Sequence, residues 1–383
     1  MLPELSQEEV YRYTRHVIIP EVGMEGQRKL KAASVLIIGT GGLGSPISLY
    51  LAAAGVGHIG IVDYDVVDSS NLQRQIIHDT SRIGELKVTS AQQRMLGINP
   101  YIQVDTYHEV FNSENAPQIA KDYDILVDGT DNFPTRYLIN DLCVLTNKPY
   151  VYGSIFRFEG QVSVFNVQGG PCYRCLFAEP PPPNSVPTCA EGGVFGVLPG
   201  TIGTIQATET LKLIMGIGSS LTGKLLLYDA LEMSFQIVHL QKNPACKVCG
   251  DHPEITQLID YEQFCGTPAH DQPIAPITQR TIEPRQLAEK LRKGEPIRLI
   301  DVREPVEQQI SSLPNAENIP IMRFARHIPS LDPNEQIVLF CRTGIRSAQA
   351  LDMLQKAGFS NVWHLRGGIN AWAQEVDPGM YQY

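Results

Sequence analysis

The first clear run of apolar positions, SVLII at Ser34 to Ile38, is rich in β-branched residues and breaks at once in the glycine turn GTGGLG, Gly39 to Gly44. Apolar residues then recur at helical spacing in SPISLYLAAAG, so strand, glycine turn and helix follow in that order. A second apolar run, HIGIVDYD, delivers Asp63 about 20 residues beyond the glycines, the separation at which an acidic side chain meets a ribose in a nucleotide-binding βαβ unit. A third, YDILVDGTDN, ends in a polar turn carrying Asp128, Asp131 and Asn132. Residues just beyond a strand's carboxyl end sit where ligands bind in open α/β sheets. Alternating runs at PYVYGSI, GQVSVFNV, KLLLYDA and SFQIVHL predict further, partly antiparallel strands. Between them EPPPPNSVPTCAEGGVFG is too rich in Pro and Gly for regular structure and is expected to form a loop passing near the site.

From Asp251 to about Gln279 the periodicity fades and Pro recurs, the composition of a linker. A second pattern follows: TIEPRQLAEKLRKG as a helix with a Thr cap, IRLIDV and QIVLFC as strands, RSAQALDMLQKAG as a helix closed by Gly358, and NVWHL as another strand. The predicted fold class is α/β. A Rossmann-like nucleotide-binding domain with a mixed sheet spans 1–250, a linker spans 251–279, and a small α/β domain spans 280–383.

Composition narrows the function. The 383 residues contain no apolar stretch of membrane-spanning length and no signal-peptide pattern, which predicts a cytoplasmic protein with no membrane partner. A formal net charge of −10 argues against nucleic acid as a partner. In a reducing compartment, the eight cysteines point to metal binding or thiol chemistry rather than disulfides.

Taken alone, the GxGxxG match of Gly39, Gly41 and Gly44 points to an NAD-dependent dehydrogenase. Its neighbours point elsewhere. Downstream of Asp63 come Ser70, Asn71 and Arg74 in SSNLQRQ, then Lys87 in IGELKV, then the DGTDN turn. A hydride-transfer site can do without cations and carboxylates gathered at the phosphates. Activation of a carboxylate by ATP needs them: a carboxylate-held Mg²⁺ to neutralise the triphosphate, and Arg or Lys to stabilise charge as pyrophosphate leaves. Asp131 fits the metal role, and Arg74 and Lys87 the cationic one.

Cys172/Cys175 and Cys246/Cys249 form two CxxC pairs about 70 residues apart. Four thiolates complete a tetrahedron around Zn²⁺ with no open position, so the predicted zinc site is a structural knuckle at the end of the first domain. A single CxxC could be a redox pair, which would not need a second. Cys189 stands alone in the Pro/Gly loop, where a thiol can react. Cys143 lies in an apolar helical stretch and reads as core, and Cys265 falls in the linker with no assigned role.

Cys341 opens CRTGIRS at the end of a strand. A tight loop running from such a cysteine into a helix aims backbone N–H groups and a helix N-terminus at the sulfur, which stabilises a sulfur anion such as a terminal persulfide. A cysteine phosphatase would place its Arg six residues after the Cys. Position 347 is Ser and Arg346 comes one residue earlier, a smaller cradle suited to sulfur, and Arg342 adds positive charge.

GTGGLG, DYDVVDSSNLQRQ, LVDGTDN, EGQVSVF, PCYRC, TCAEGGV and NPACKVCG together resemble the MoeB/ThiF family, bacterial relatives of the ubiquitin-activating enzymes, over residues 1 to about 250. The resemblance implies an adenylyltransferase that uses ATP to activate the C-terminal Gly-Gly carboxylate of a ubiquitin-like sulfur carrier protein, MoaD-like or ThiS-like. By this likeness Gly42 approaches the phosphates within the turn of Gly39, Gly41 and Gly44, and Asp63 approaches the ribose. Ser70, Asn71, Arg74, Lys87 and Asn132 belong to the ATP site, and Asp131 holds Mg²⁺. RYTRHVI matches a family segment whose Arg, here Arg15, reaches into a neighbouring subunit's site, which implies a homodimer. The family's counterpart of Cys189 takes the acyl group as a thioester or resolves an acyl disulfide.

LIDVREPVE, NAENIP, LFCRTGIRS and HLRGGINAW resemble a rhodanese domain, which implies a sulfurtransferase loaded by a sulfur donor such as a cysteine desulfurase or thiosulfate. EQQISSLPNA departs from the histidine-containing stretch usual there. SNLQRQ and TCAEGG look closest to MoeB-like proteins fused to a rhodanese, so molybdopterin (molybdenum cofactor) synthesis is the expected pathway. tRNA thiolation, thiamine synthesis and cysteine synthesis use similar chemistry. A protein-conjugating activator holding its carrier as a stable thioester on Cys189, and a non-catalytic scaffold, are the readings from other classes.

Overall fold

In the computed structural model, which describes residues 2–182, 192–266 and 280–383, the chain forms two units divided within 267–279. The strands of the first are β1 (Ser34–Ile38), β2 (His58–Val62), β3 (Gln103–Tyr107), β4 (Ile125–Asp128), β5 (Tyr150–Phe156), β6 (Glu159–Phe165), β7 (Lys224–Asp229) and β8 (Ser234–His239). They form one sheet in the order β3-β2-β1-β4-β5-β6-β7-β8. The pairs from β3 through β5 are parallel, and those from β5 through β8 are antiparallel, the mixture the alternating runs predict. The chain steps outward from β1 to β3 and then returns to the other side of β1. That reversal opens a crevice at the carboxyl ends of β1 and β4.

Successive strand residues face opposite sides of a sheet, and two cores follow from this. Val35, Ile37, Ile59, Ile61 and Val127 pack on one face with the helices Gly44–Ala54 and Leu198–Met215. Leu36, Ile38, Val62 and Leu126 pack on the other with helix Phe133–Thr146. Because β1 is covered on both faces, it reads as an unbroken apolar run. Helix Leu198–Met215 is absent from the sequence expectations. Its polar Gln206, Glu209 and Thr210 are buried while Thr208 is exposed, so polar residues fall on both sides and blur its period.

The linker expected from Asp251 begins later, because the chain is packed onto the first unit as far as Gly266. Asp260 caps a one-turn helix, Tyr261–Cys265. The Tyr261 hydroxyl donates to Asp141 at 2.9 Å, and the Phe264 ring lies 4.5 Å from the Arg174 guanidinium. Cys265, unassigned from sequence, is buried beside them. Apolar residues at i, i+3 and i+4 dock this turn despite the prolines around it.

The second unit is built on β9 (Thr281–Ile282), β10 (Ile297–Asp301), β11 (Glu317–Asn318), β12 (Gln336–Phe340) and β13 (Val362–Leu365), all parallel in the order β11-β10-β12-β13-β9. Its first helix, Pro284–Arg292, is capped by Glu283 in a capping box with Gln286. The expected Thr cap is therefore displaced by two residues, since Thr281 belongs to β9, where its hydroxyl lies 3.3 Å from His364 Nε2. Among the described residues no helix is long and apolar enough to cross a membrane.

Candidate active sites and thiol cluster

At the crevice of the first unit the chain leaves β1 through Gly39, whose φ of +91° suits glycine alone at low cost. A Cβ at Gly44 would collide with the Gly39 carbonyl oxygen, and one at Gly42 would stand 3.2 Å from Pro199. The turn is thus bare backbone opening into helix Gly44–Ala54, whose N-terminal N–H groups favour an anion. Asp63 lines this cleft and also braces it. Its Oδ2 accepts from the Thr40 N–H at 2.8 Å and the Thr40 hydroxyl at 3.0 Å, and its Oδ1 accepts from the Asp65 N–H at 3.0 Å.

Two cations expected from the sequence line the same cleft. Arg74 Nη1 donates to the Ser70 carbonyl at 3.3 Å, and Lys87 Nζ donates to Asp65 Oδ2 at 2.9 Å. Lys87 is buried although its partner Asp65 is half exposed. Ser70 and Asn71 are not among the lining residues. They form the turn behind Arg74, where Asp68 caps Ser69–Asn71 and Asn71 Oδ1 accepts from Gln75 Nε2 at 2.8 Å. On the far wall Asp131 is exposed, and Asn132 caps helix Phe133–Thr146 by accepting from the Thr135 N–H at 2.9 Å.

Beneath that wall lies a buried group that sequence reading passed over. Arg136 lines the cleft, sits between the rings of Phe133 and Tyr152 at 5.8 and 5.7 Å, and faces Asp128 with Nε 3.7 Å from Oδ2. Burial pushes the Asp128 carboxyl up, and Arg136 together with hydrogen bonds from Thr130 and Tyr150 opposes that rise. A basic residue inside the otherwise apolar run FPTRYLI was the available signal. Gln75 was also missed, and its Oε1 is buried with no hydrogen-bond partner at the cleft. Arg15 is exposed on the short helix Thr14–Val17 and does not line this chain's cleft.

The four CxxC cysteines come together as expected. Cys172 is the N-cap of the one-turn helix Tyr173–Leu176 and Cys175 lies within it, and the sulfur atoms of all four lie within 4.8 Å of one another. The separations Cys172–Cys175, Cys172–Cys246 and Cys175–Cys249 are 3.8, 3.6 and 3.4 Å. Zinc–sulfur bonds of about 2.3 Å in a tetrahedron require sulfur atoms about 3.8 Å apart, so the set fits Zn²⁺. The Asn243 N–H donates to Cys175 Sγ at 3.3 Å, the outer-shell bond that a metal thiolate favours. Cys143 is buried, its thiol pushed up by desolvation, in agreement with a core role. Cys189 lies outside the described residues.

In the second unit Cys341 follows β12 and is buried. Its Sγ accepts from the Gly344 N–H at 3.1 Å, with the Ser347 hydroxyl at 3.7 Å, and helix Ile345–Lys356 begins immediately after. The loop is locked from behind by the Ile369 N–H, which donates to the Cys341 carbonyl at 2.8 Å. Arg346, the arginine expected at the cradle, forms a two-pronged pair with Glu307 at 2.7 and 2.8 Å. Glu307 belongs to the divergent EQQISSLPNA stretch, which therefore supplies a carboxylate to the loop's arginine. Burial would raise the Glu307 carboxyl, but Arg346 and hydrogen bonds from the Glu304 backbone and Tyr383 hold it below the usual carboxylate range.

Comparison with known proteins agrees with this geometry. The ThiF family model matches residues 13–248 and the rhodanese-like domain model matches residues 283–375. "Probable adenylyltransferase/sulfurtransferase MoeZ" of Mycobacterium tuberculosis is 51% identical, covering 99% of this chain and 96% of its own. "Adenylyltransferase and sulfurtransferase MOCS3-2" of Zea mays is 42% identical, covering 99% of this chain and 82% of its own. Among solved structures, Escherichia coli MccB with AMPCPP and MccA shares the fold at 22% identity and a TM-score of 0.57, over 64% of this chain and 75% of that one. The glycine-turn cleft, the four-cysteine cluster and the Cys341 loop thus belong to a member of the ThiF family, an adenylyltransferase with a C-terminal rhodanese-like sulfurtransferase domain.

Proposed function

We propose that the first unit adenylates the C-terminal glycine of a ubiquitin-like sulfur carrier ending in Gly-Gly, and that the second supplies sulfur to the activated carbonyl, leaving a thiocarboxylate. One observation carries this: a single chain joins a bare glycine turn surrounded by Arg74, Lys87 and Asp131 to a strand-end thiol, Cys341, that accepts a backbone N–H. A carboxylate oxygen of the carrier attacks the α-phosphorus of ATP, the bond to the bridging oxygen breaks, and pyrophosphate leaves. Arg74 and Lys87 stabilise the charge that develops on the departing phosphates, while the backbone of Gly42 allows their close approach. Asp131 would hold Mg²⁺, which neutralises the triphosphate when bound. Asp63 keeps the glycine turn in shape and presents the acidic edge expected at the ribose, and Ser70, Asn71 and Asn132 act through the walls they build. Arg15, exposed on its helix, would enter the cleft of a second copy in a homodimer.

A donor such as thiosulfate or a cysteine desulfurase leaves its sulfur on Cys341 as a persulfide. The terminal sulfur attacks the acyl carbon, the carbon–oxygen bond breaks, and AMP leaves. Cys189 then attacks the Cys341 sulfur, the sulfur–sulfur bond to the acyl group breaks, and the thiocarboxylate departs. The resulting Cys189–Cys341 disulfide is reopened by a thiol reductant. Zn²⁺ on Cys172, Cys175, Cys246 and Cys249 has no open position and takes no part in these steps. We assign the protein to the cytoplasm, where thiols stay reduced, and to molybdenum cofactor synthesis, on the likeness of SNLQRQ and TCAEGG to MoeB-like proteins fused to a rhodanese. The names of the relatives lend no support to the dehydrogenase alternative.

The test is mass spectrometry of candidate Gly-Gly carriers incubated with the enzyme, ATP, thiosulfate and a dithiol. A mass shift matching one oxygen replaced by sulfur identifies carrier and reaction together. Failure of every Gly-Gly carrier to provoke pyrophosphate release would overturn the proposal.

A further inference from the structure

Around the Cys341 loop one residue outside the loop touches more charged groups than its place in the chain suggests. The Tyr383 hydroxyl accepts from Arg303 Nη1 at 2.7 Å and donates to Glu307 Oε1 at 2.8 Å. Arg303 is itself immobile: fully buried, it pairs with Asp301 at the end of β10 at 2.9 and 2.7 Å and donates to the Ser311 carbonyl at 2.8 Å. Glu307 is the carboxylate that grips Arg346. The phenol therefore links a fixed arginine just beyond the carboxyl end of β10 to the arginine of the sulfur loop. The ring does a second thing, because the Arg342 guanidinium lies 5.8 Å from its centroid. The tyrosine backbone is held in register with the loop by Asn370, whose Nδ2 donates to the Tyr383 carbonyl at 2.9 Å and whose N–H donates to the Arg342 carbonyl at 3.1 Å.

A residue needed only to fill space would use its ring alone. This one places a hydroxyl between a buried arginine and a partly buried carboxylate, and a ring under a third ion. We infer that Tyr383 is a positioning residue for sulfur transfer: it sets the orientation of Arg346 through Glu307, and of Arg342 directly, and so shapes the positive field in which an anionic sulfur donor meets Cys341. The inference rests on the assignment of Cys341 as the reactive thiol.

Without the hydroxyl, Glu307 loses one of its donors, and the Arg303 Nη1 group keeps only a long contact of 3.4 Å to the Glu307 carbonyl. Glu307 then carries more uncompensated negative charge, which opposes both an incoming anion and a sulfur anion on Cys341. Charged groups facing the cluster are Asp301, Arg303, Glu307, Arg342 and Arg346, so the net effect follows from the one carboxylate that loses a donor.

The experiment uses the full chain with Tyr383→Phe, which keeps the ring, and Tyr383→Leu, which removes ring and hydroxyl. Steady-state transfer from thiosulfate to cyanide is measured, together with the pH dependence of Cys341 alkylation followed on its own peptide, and the thermal midpoint. For Tyr383→Phe, KM for thiosulfate rises about fivefold with kcat changed less than about twofold, and the alkylation midpoint moves up by about half a pH unit. For Tyr383→Leu, KM rises about twentyfold as Arg342 also loses its ring. Unchanged KM and alkylation midpoint in Tyr383→Phe, with or without a lower thermal midpoint, would show a purely structural role and overturn the inference. Tyr383→Phe decides the matter even if Tyr383→Leu does not fold. Sulfur transfer surviving in Cys341→Ala would instead overturn the assignment of the thiol itself.

Discussion

After β1 the chain turns through Gly39 to Gly44 into helix Gly44–Ala54, and after β12 it turns through Cys341 to Gly344 into helix Ile345–Lys356. Both turns offer backbone N–H groups and a helix N-terminus to an anion, yet they arrange side-chain charge in opposite ways. Around the glycine turn the cations come from outside it: among the described residues Arg74 bonds a carbonyl and Lys87 pairs with a half-exposed Asp65, while Arg136 sits deeper against the buried Asp128. Around Cys341 the loop's own Arg346 is already gripped by Glu307. A triphosphate that loses pyrophosphate shifts charge over several ångströms, and cations with weak or solvated partners can follow it. A single sulfur atom needs a small cradle of fixed dipoles, and the 3.1 Å bond from the Gly344 N–H is of that kind.

The sharpest way to break this comparison is to remove the thiol of one turn and a cation beside the other, and to measure both activities. Cys341→Ala should lower thiosulfate sulfurtransfer by at least about 10³-fold while leaving carrier-dependent ATP–pyrophosphate exchange intact. Lys87→Met should do the reverse, lowering exchange by about 10²-fold to 10³-fold with sulfurtransfer unchanged. Loss of both activities in either variant would show that the two turns do not divide the chemistry.

Both turns were legible in the sequence because each is local: a β-branched run, a glycine or cysteine loop and a helical repeat lie within about 25 residues of one another. The partners that tune them were not, because they arrive from far along the chain. Glu307 meets Arg346 across 39 positions and Tyr383 meets Arg303 across 80, and no spacing rule connects them. Arg136 hides for another reason. It lies inside an apolar helix pattern and is stabilised by Asp128 and aromatic faces rather than by solvent. Helix Leu198–Met215 was lost because a helix buried on most sides has little amphipathic signal. The docked turn at Tyr261–Cys265 was read as linker because only three core residues mark it among prolines.

The units should also differ in their dependence on metal. The first is stapled where segments 172–175 and 246–249 meet, and among the described residues the second has no comparable cluster. Binding of a structural zinc contributes on the order of 10 kcal/mol in small domains, more than most domains have to spare. Chelation, or Cys246→Ser, should therefore lower the unfolding transition of the first unit by well over about 10 °C and abolish exchange, while thiosulfate sulfurtransfer persists. Metal analysis of the untreated protein should find one zinc per chain. A single shared transition that moves as a whole on chelation, or no zinc, would contradict the assignment.

The smallest effect concerns acid. Among the described residues each unit buries one histidine: His78 bonds the Ser90 hydroxyl at 2.9 Å and the Thr40 carbonyl of the glycine turn at 3.2 Å, and His364 of β13 lies 3.3 Å from the Thr281 hydroxyl. Burial lowers both imidazoles below the ordinary value of 6.5. In the pH interval between the depressed folded value and 6.5 the unfolded chain binds a proton that the folded chain refuses, so stability rises with pH there. The stabilisation is complete above about pH 6.5 and is lost on acidification, with a slope of at most about 1.4 kcal/mol per pH unit for each histidine. Calorimetry from pH 8 to pH 5 should show both transitions falling below about pH 6.5, and His78→Gln should flatten only that of the first unit. Because His78 holds the Thr40 carbonyl, the same variant should weaken ATP binding in exchange assays, whereas His364→Gln should leave exchange untouched. Equal flattening of both transitions by His78→Gln would mean that acid sensitivity is not set unit by unit, and the contrast between the two turns would then not extend to the cores beneath them.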